Sequence, residues 1–257
     1  MRSFRAALAA ALIALGCVTH ATGQGRTFVA EGTDVAAAVG ARALAMGGSG
    51  TAIANDPHAI YYNPALLAGL NRPMLSVTRQ LNAELRPYSF FGATLPVTLL
   101  EPLGLNLTLG YASFPRVHAR STGAFAATDP QSVFLRLLLP GLQGTYDGVI
   151  DSKTLVRRFA AGVSPVASDA FSLGVAVDII DCRTNTCGVN AKNGRFRADR
   201  VEAHAVSVSA GAAFRFSDRF KVAVSANDIN TFLHASMVTI TNGQVRSSNT
   251  VARLPMT

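Results

Sequence analysis

Two-residue alternation, held for nine to twelve residues at a time, is the feature that most limits what this chain can become. Phe171, Leu173, Val175, Val177 and Ile179 share one parity, and Ser172, Gly174, Ala176 and Asp178 the other. Val206, Val208, Ala210, Ala212, Phe214 and Phe216 repeat this against Ser207, Ser209, Gly211, Ala213 and Arg215. Phe220, Val222 and Val224 do so against Lys221, Ala223 and Ser225, and Leu103 through Tyr111 against Asn106, Thr108 and Gly110. Successive side chains of a strand point to opposite faces, so each segment has one large apolar face and one small, polar face. Weaker strands are predicted at 73–81, 87–97, 155–164 and 235–241.

Strands in water-soluble sandwiches usually run about five or six residues, whereas a tilted membrane-crossing strand needs roughly 9 to 11. The connections also alternate in length. Short links follow Pro165 and Phe216, while about 40 residues separate Pro115 from Ser152 and roughly 15 surround Cys182 and Cys187, the parity of short turns and long outer loops. The expected fold is therefore all-β, an antiparallel transmembrane β-barrel, incomplete in this chain, over 73–257 with long outer loops at 115–152 and 182–197. An exported adhesive β-sandwich is the competing reading. With 49% apolar and 15% charged residues the chain is too apolar for disorder. Its longest apolar run, Ala6–Val18, has 13 residues, short of a spanning helix.

That run follows Arg2 and Arg5 and ends before Ala21-Thr22-Gly23, the layout of a secretory signal peptide over 1–23. The segment Ala14-Leu15-Gly16-Cys17 is a poor match to a lipoprotein cleavage box. Removing 1–23 takes away two arginines and no acid, so the net charge falls from +8 to +6. With no basic run longer than Arg157-Arg158 beyond scattered loop charge, no nucleic-acid partner is expected. Cys182 and Cys187 bracket four residues and, in an oxidising compartment, are predicted to form a loop-closing disulfide.

Residues 35–70 do not alternate. A small apolar stretch, Val35 to Met46, meets Gly47-Gly48-Ser49-Gly50 and then Asn55-Asp56-Pro57 and Tyr62-Asn63-Pro64-Ala65. The glycines do not make a dinucleotide fingerprint, since the preceding stretch is helix-like and no acid occurs between Asp56 and Glu84. A phosphate loop lacks its Gly-Lys-Ser/Thr, and Thr51 stands where a nucleophile elbow needs glycine. Gly40-Ala-Arg-Ala-Leu-Ala-Met-Gly-Gly48, Ala52-Ile-Ala-Asn-Asp56 and Tyr62-Asn-Pro-Ala65 together resemble the N-terminal region of FadL/TodX-type outer-membrane transport proteins, a superfamily that includes type IX secretion shuttle barrels. The resemblance implies a partly helical hatch, here 24–72, plugging a barrel of about fourteen strands. Its motif residues would be Gly47, Gly48, Asn55, Asp56, Asn63, Pro64 and Ala65. The chain is shorter than such proteins and is expected to be C-terminally truncated.

Within the loop 115–152, Asp129 and Pro130 can start a short helix carrying Phe134, Leu135 and Leu138, a candidate hydrophobic groove. No catalytic set, metal site or cofactor is expected, and the five histidines are dispersed. Asp178, Asp181 and Arg183 are expected to make rim or lumen contacts. The expected function is non-enzymatic: an outer-membrane barrel in a Gram-negative type envelope, passing hydrophobic small molecules by passive diffusion. The alternative is a barrel of the same superfamily that shuttles or anchors secreted proteins. The partners are then the lipid bilayer of the outer membrane and a hydrophobic small molecule or secreted protein.

Overall fold

The computed structural model describes residues 27–31, 39–46, 50–80, 88–126, 145–166, 170–190, 192, 194–217 and 220–254. The proposed signal peptide, Gly47, Gly48 and the proposed groove at Phe134, Leu135 and Leu138 lie outside these residues.

Among the described residues ten strands form one antiparallel sheet: β1 (Thr27–Glu31), β2 (Met74–Gln80), β3 (Tyr88–Val97), β4 (Leu105–Ala126), β5 (Thr145–Pro165), β6 (Phe171–Asn190), β7 (Phe196–Ser217), β8 (Phe220–Ile229), β9 (Phe232–Thr241) and β10 (Gln244–Arg253). The spatial order is β10-β9-β7-β6-β5-β4-β3-β2, with β1 added to the far half of β4 and β8 to the near half of β7. β8 and β9 lie end to end along β7, β8 on its C-terminal half and β9 on its N-terminal half. A kink separates them, where Asp228 and Asn230 take φ of 58° and 50°. Helices α1 (Ala41–Ala45) and α2 (Ala59–Tyr62) and a 3-10 turn, Pro64–Gly69, make up the helical part of the N-terminal segment.

The barrel expectation is corrected here. Among the described residues β2 pairs only with β3 and β10 only with β9, so the sheet is open at both ends. A barrel requires its first and last strands to bond. An open edge in hydrocarbon leaves unpaired N–H and C=O groups that lipid cannot satisfy. The readings built on closure fall with it: the outer-membrane location, the bilayer as partner, the passage of hydrophobic small molecules, and the shuttle barrel with its secreted cargo. No helix among the described residues is long and apolar enough to cross a membrane.

Strand lengths are a second correction. β4, β5, β6 and β7 run 20 to 22 residues, roughly 70 Å at the longest. They absorb 115–126, 145–152 and 182–190, all of which were expected in loops. In 182–189, for example, polar residues stand at both parities, so alternation of hydrophobicity is lost although the backbone stays extended. Cross-strand pairs hold these stretches instead: Ser152 Oγ lies 2.7 Å from Thr184 Oγ1, and Thr154 donates to Cys182 Sγ at 3.2 Å. Cys182 and Cys187 consequently share β6 as thiols, and the expected disulfide is not formed. Five residues of strand span about 16 Å, whereas a disulfide tolerates Cα atoms at most about 7 Å apart.

The small, polar parity is the buried one. On β6 Ala176, Asp178, Ile180, Cys182 and Thr184 are buried, while Leu173, Val175, Val177 and Ile179 are exposed. The inner face carries the N-terminal segment, and the core forms where Ile60, Tyr61, Ala65, Leu66 and Leu67 meet Phe90, Phe114, Val156 and Ala160.

Candidate functional site

The most elaborate chemistry lies where the N-terminal segment meets the inner face. Gly162, Gly174 and Gly211 are directly paired across β5, β6 and β7, which makes a row without side chains. The 3-10 turn lies in that row. A Cβ at Gly162 would sit 2.7 Å from the Pro64 carbonyl oxygen and from Ala68 N. At Gly174 it would overlap the backbone of Pro64 and Ala65, and at Gly211 the Asn63 side chain. Gly110, on β4, similarly admits Ile60 at 2.8 Å. Glycine inside a strand often marks a close backbone approach, and these four are such cases.

Asn63 is fully buried and joins three parts of the chain. Its Nδ2 donates to the carbonyls of Thr51, Ala212 and Val224 at 3.2 to 3.3 Å. Its Oδ1 accepts from Ala65 N at 3.0 Å, capping the 3-10 turn that Pro64 begins.

Two buried arginine–aspartate pairs flank this contact. Arg158, on β5, donates from Nε and NH2 to the two carboxylate oxygens of Asp178 on β6 at 2.6 and 2.7 Å. Its NH1 donates to the carbonyls of Ile60 and Tyr61, the last turn of α2. Ser209 and Asn227 accept further bonds from NH2. Arg116, on β4, pairs with Asp228 at the β8–β9 kink, and Ser207 donates to the same carboxylate at 3.0 Å. Arg116 and Asp228 are 112 positions apart in sequence.

At the sheet's β2 side, His58 stacks on Phe90 with ring centroids 4.6 Å apart. His58 Nδ1 lies 2.9 Å from Asp56 Oδ1, and Nε2 lies 2.8 Å from Thr78 Oγ1 on β2. The hydrogen bond from His58 holds the Asp56 carboxyl below the usual carboxylate range, against the opposing effect of its partial burial. Tyr62 donates to the Val39 carbonyl at 2.9 Å, and burial pushes its phenol up.

Of the residues expected from sequence, Asn63, Pro64 and Ala65 lie together at the centre of the contact. Asn55 accepts from Arg42 at 2.8 Å on the surface, and Asp56 serves His58. Asp178 faces inward to Arg158, but Asp181 and Arg183 lie on the opposite, outer face, so these three do not form one cluster. Sequence reasoning passed over Arg116, Arg158 and Asp228. Only the mid-strand glycines were a legible signal of a nearby backbone.

Chemically, the contact is a closed network. Its polar groups bond to one another, and Thr94 Oγ1 is the one buried side-chain oxygen or nitrogen without a partner among the described residues. No group of three or more His, Cys, Asp or Glu side chains among the described residues is placed to hold a metal ion.

No family model, curated protein or solved structure matches this chain. The likeness to FadL/TodX-type proteins is thereby confined to short N-terminal motifs, and the open sheet contradicts membership.

Proposed function

We propose that this protein is a non-catalytic assembly module that accepts a strand from another polypeptide along the free edge of β10. The observation that carries the reading is the state of that edge. β10 is ten residues long and, among the described residues, bonds to β9 on one side only. Edges are normally blunted by charged side chains, above all lysine, by proline, by bulges or by short length. β10 has neither proline nor lysine, its charges being Arg246 and the terminal Arg253, and its register with β9 is unbroken from Gln244 to Arg253.

The outer face strengthens this. It is lined by exposed apolar side chains from Leu75 and Val77 on β2 to Val245 and Val251 on β10, the last two 66% and 59% exposed. Apolar patches of that extent usually mark surfaces that another molecule covers. A strand laid against β10 gains main-chain hydrogen bonds from the edge and apolar contact from Val245 and Val251, the division of labour seen in strand addition. The β2 edge is a poorer acceptor, being seven residues long and starting just after Pro73. Among the described residues, Thr94 Oγ1 is the one buried side-chain oxygen or nitrogen left without a partner, so the interior polar groups serve chiefly to hold the sheet in shape.

The test is hydrogen exchange on the purified protein with and without a synthetic peptide of the β10 sequence. Added protection confined to the amides of residues 244–253 is expected. Proline placed singly at Ser247 and at Ser248 extends the test, because adjacent N–H groups of a strand point to opposite edges. One variant should keep the native melting temperature and lose the peptide-dependent protection. Equal peptide binding by both variants, or none by the unmodified protein, would overturn the assignment.

A further inference from the structure

The structure assigns a second site on the outer face: the trough between β5 and β6 at Lys153 and Arg183 binds a phosphate group, free or as a small monoester. Lys153 and Arg183 are directly opposite in the β5–β6 register, and both side chains are exposed. Like charges directly opposite one another destabilise a sheet, and an anion seated between them would relieve that repulsion.

The acids nearby are already engaged. Asp181, two pairs along the ladder and on the same face, accepts from Arg157 at 2.8 Å and lies 2.7 Å from His204 Nδ1. Glu202, opposite Arg183 on β7, accepts from Arg200 at 2.8 Å. Arg200 chiefly, with Arg183 and His204 adding to it, holds the Glu202 carboxyl below its ordinary range. Charge around the trough is therefore in excess on the positive side, with Lys153, Arg157, Arg183 and Arg200 against Asp151, Asp181 and Glu202.

The trough has a volume of about 300 Å³ and is lined by Lys153, Arg157, Asp181 and Arg183 with Leu155 and His204. A phosphate monoester carries about −1.5 to −2 charges and three strong acceptor oxygens at neutral pH. The guanidinium fork of Arg183 suits two of those oxygens, and the Lys153 ammonium supplies a point charge to the third. Asp181 stands at the margin of the trough, its charge offset by Arg157.

The test uses calorimetric titration and thermal melting at low ionic strength in phosphate-free buffer. Inorganic phosphate and glycerol phosphate serve as separate probes. Both should raise the melting temperature of the protein. Tighter binding of glycerol phosphate assigns a monoester, equal binding assigns free phosphate, and either upholds the site. The double variant Lys153→Gln/Arg183→Gln should melt higher than the unmodified protein without ligand, because the like-charge pair is gone. It should also bind the probes at least about tenfold more weakly, the equivalent of losing roughly 1.4 kcal/mol. Should that variant fold poorly, Arg183→Lys provides the second reading, with binding weakened but retained. An unchanged phosphate response in the double variant, or no response in the unmodified protein, would overturn the assignment.

Discussion

Arg158 and Asp178 face each other across β5 and β6 with two parallel hydrogen bonds of 2.6 and 2.7 Å, and the same guanidinium holds the carbonyls of Ile60 and Tyr61. One side chain thus joins two strands of the sheet to the segment lying on it.

Removing one member of this pair should be costly. Asp178→Asn leaves a buried guanidinium without its counter-charge, a change that typically costs about 3 to 5 kcal/mol. Replacing both, as Arg158→Met with Asp178→Leu, should cost less than the sum of the singles, because no charge is stranded. Urea unfolding of the unmodified protein, Arg158→Met, Asp178→Leu and the double variant measures this, and additive losses would show that the pair is not coupled.

The glycine row predicts a contrast between two substitutions of the same chemistry. Gly174→Ala places a methyl group into the backbone of Pro64 and Ala65 and should destabilise by about 1 to 3 kcal/mol or more. Gly69→Ala meets nothing within 4 Å and should be neutral or slightly stabilising. Limited proteolysis should cut the N-terminal segment sooner in the first variant only.

Asn63 offers a test that separates shape from hydrogen bonding. Asn63→Asp keeps the volume but turns the donor that serves three carbonyls into an acceptor. A buried carboxylate facing carbonyl oxygens is disfavoured, so its folded pKa should rise above the unfolded value. The variant should then be nearest to the unmodified protein in acid and lose stability as pH rises above the unfolded carboxylate value. Denaturation midpoints at pH 4 and pH 7 would show it, and a gap independent of pH would refute it.

For Asp56 the sign is opposite. Its folded pKa lies below the ordinary 3.8, mainly through the hydrogen bond from His58, so its contribution is present above that value. The contribution is lost as pH falls through the folded value. Asp56→Asn should therefore be less stable than the unmodified protein at neutral pH, with the difference shrinking as pH falls below 3.8, as followed by thermal melting.

The thiols are distinguished by parity. Cys182 is 1% exposed and Cys187 is on the exposed face. Maleimide should label Cys187 in the native protein and Cys182 only after unfolding, as mapped by peptide mass. A disulfide-linked peptide in native, non-reduced protein would contradict the strand assignment.

For the alternating segments, the sequence itself determined that they are strands and which parity of each is apolar. Two-residue alternation is a local property and survives without knowledge of the neighbours, so β3 covers 88–97 of the expected 87–97 and β7 contains 206–216. Where polar residues occupy both faces, as in 145–154 or 181–190, the local signal vanishes, and the extended backbone is held by cross-strand partners that sequence does not name. The importance of Asn63-Pro64-Ala65 was legible through its motif, but its seat on Gly162, Gly174 and Gly211 depends on register between strands. Arg116 meeting Asp228 depends on the kink that ends β8. Above all, alternation is identical in an open sheet and a closed one. Whether the first and last strands bond is decided by sheet order alone, and here the tertiary structure leaves β2 and β10 apart.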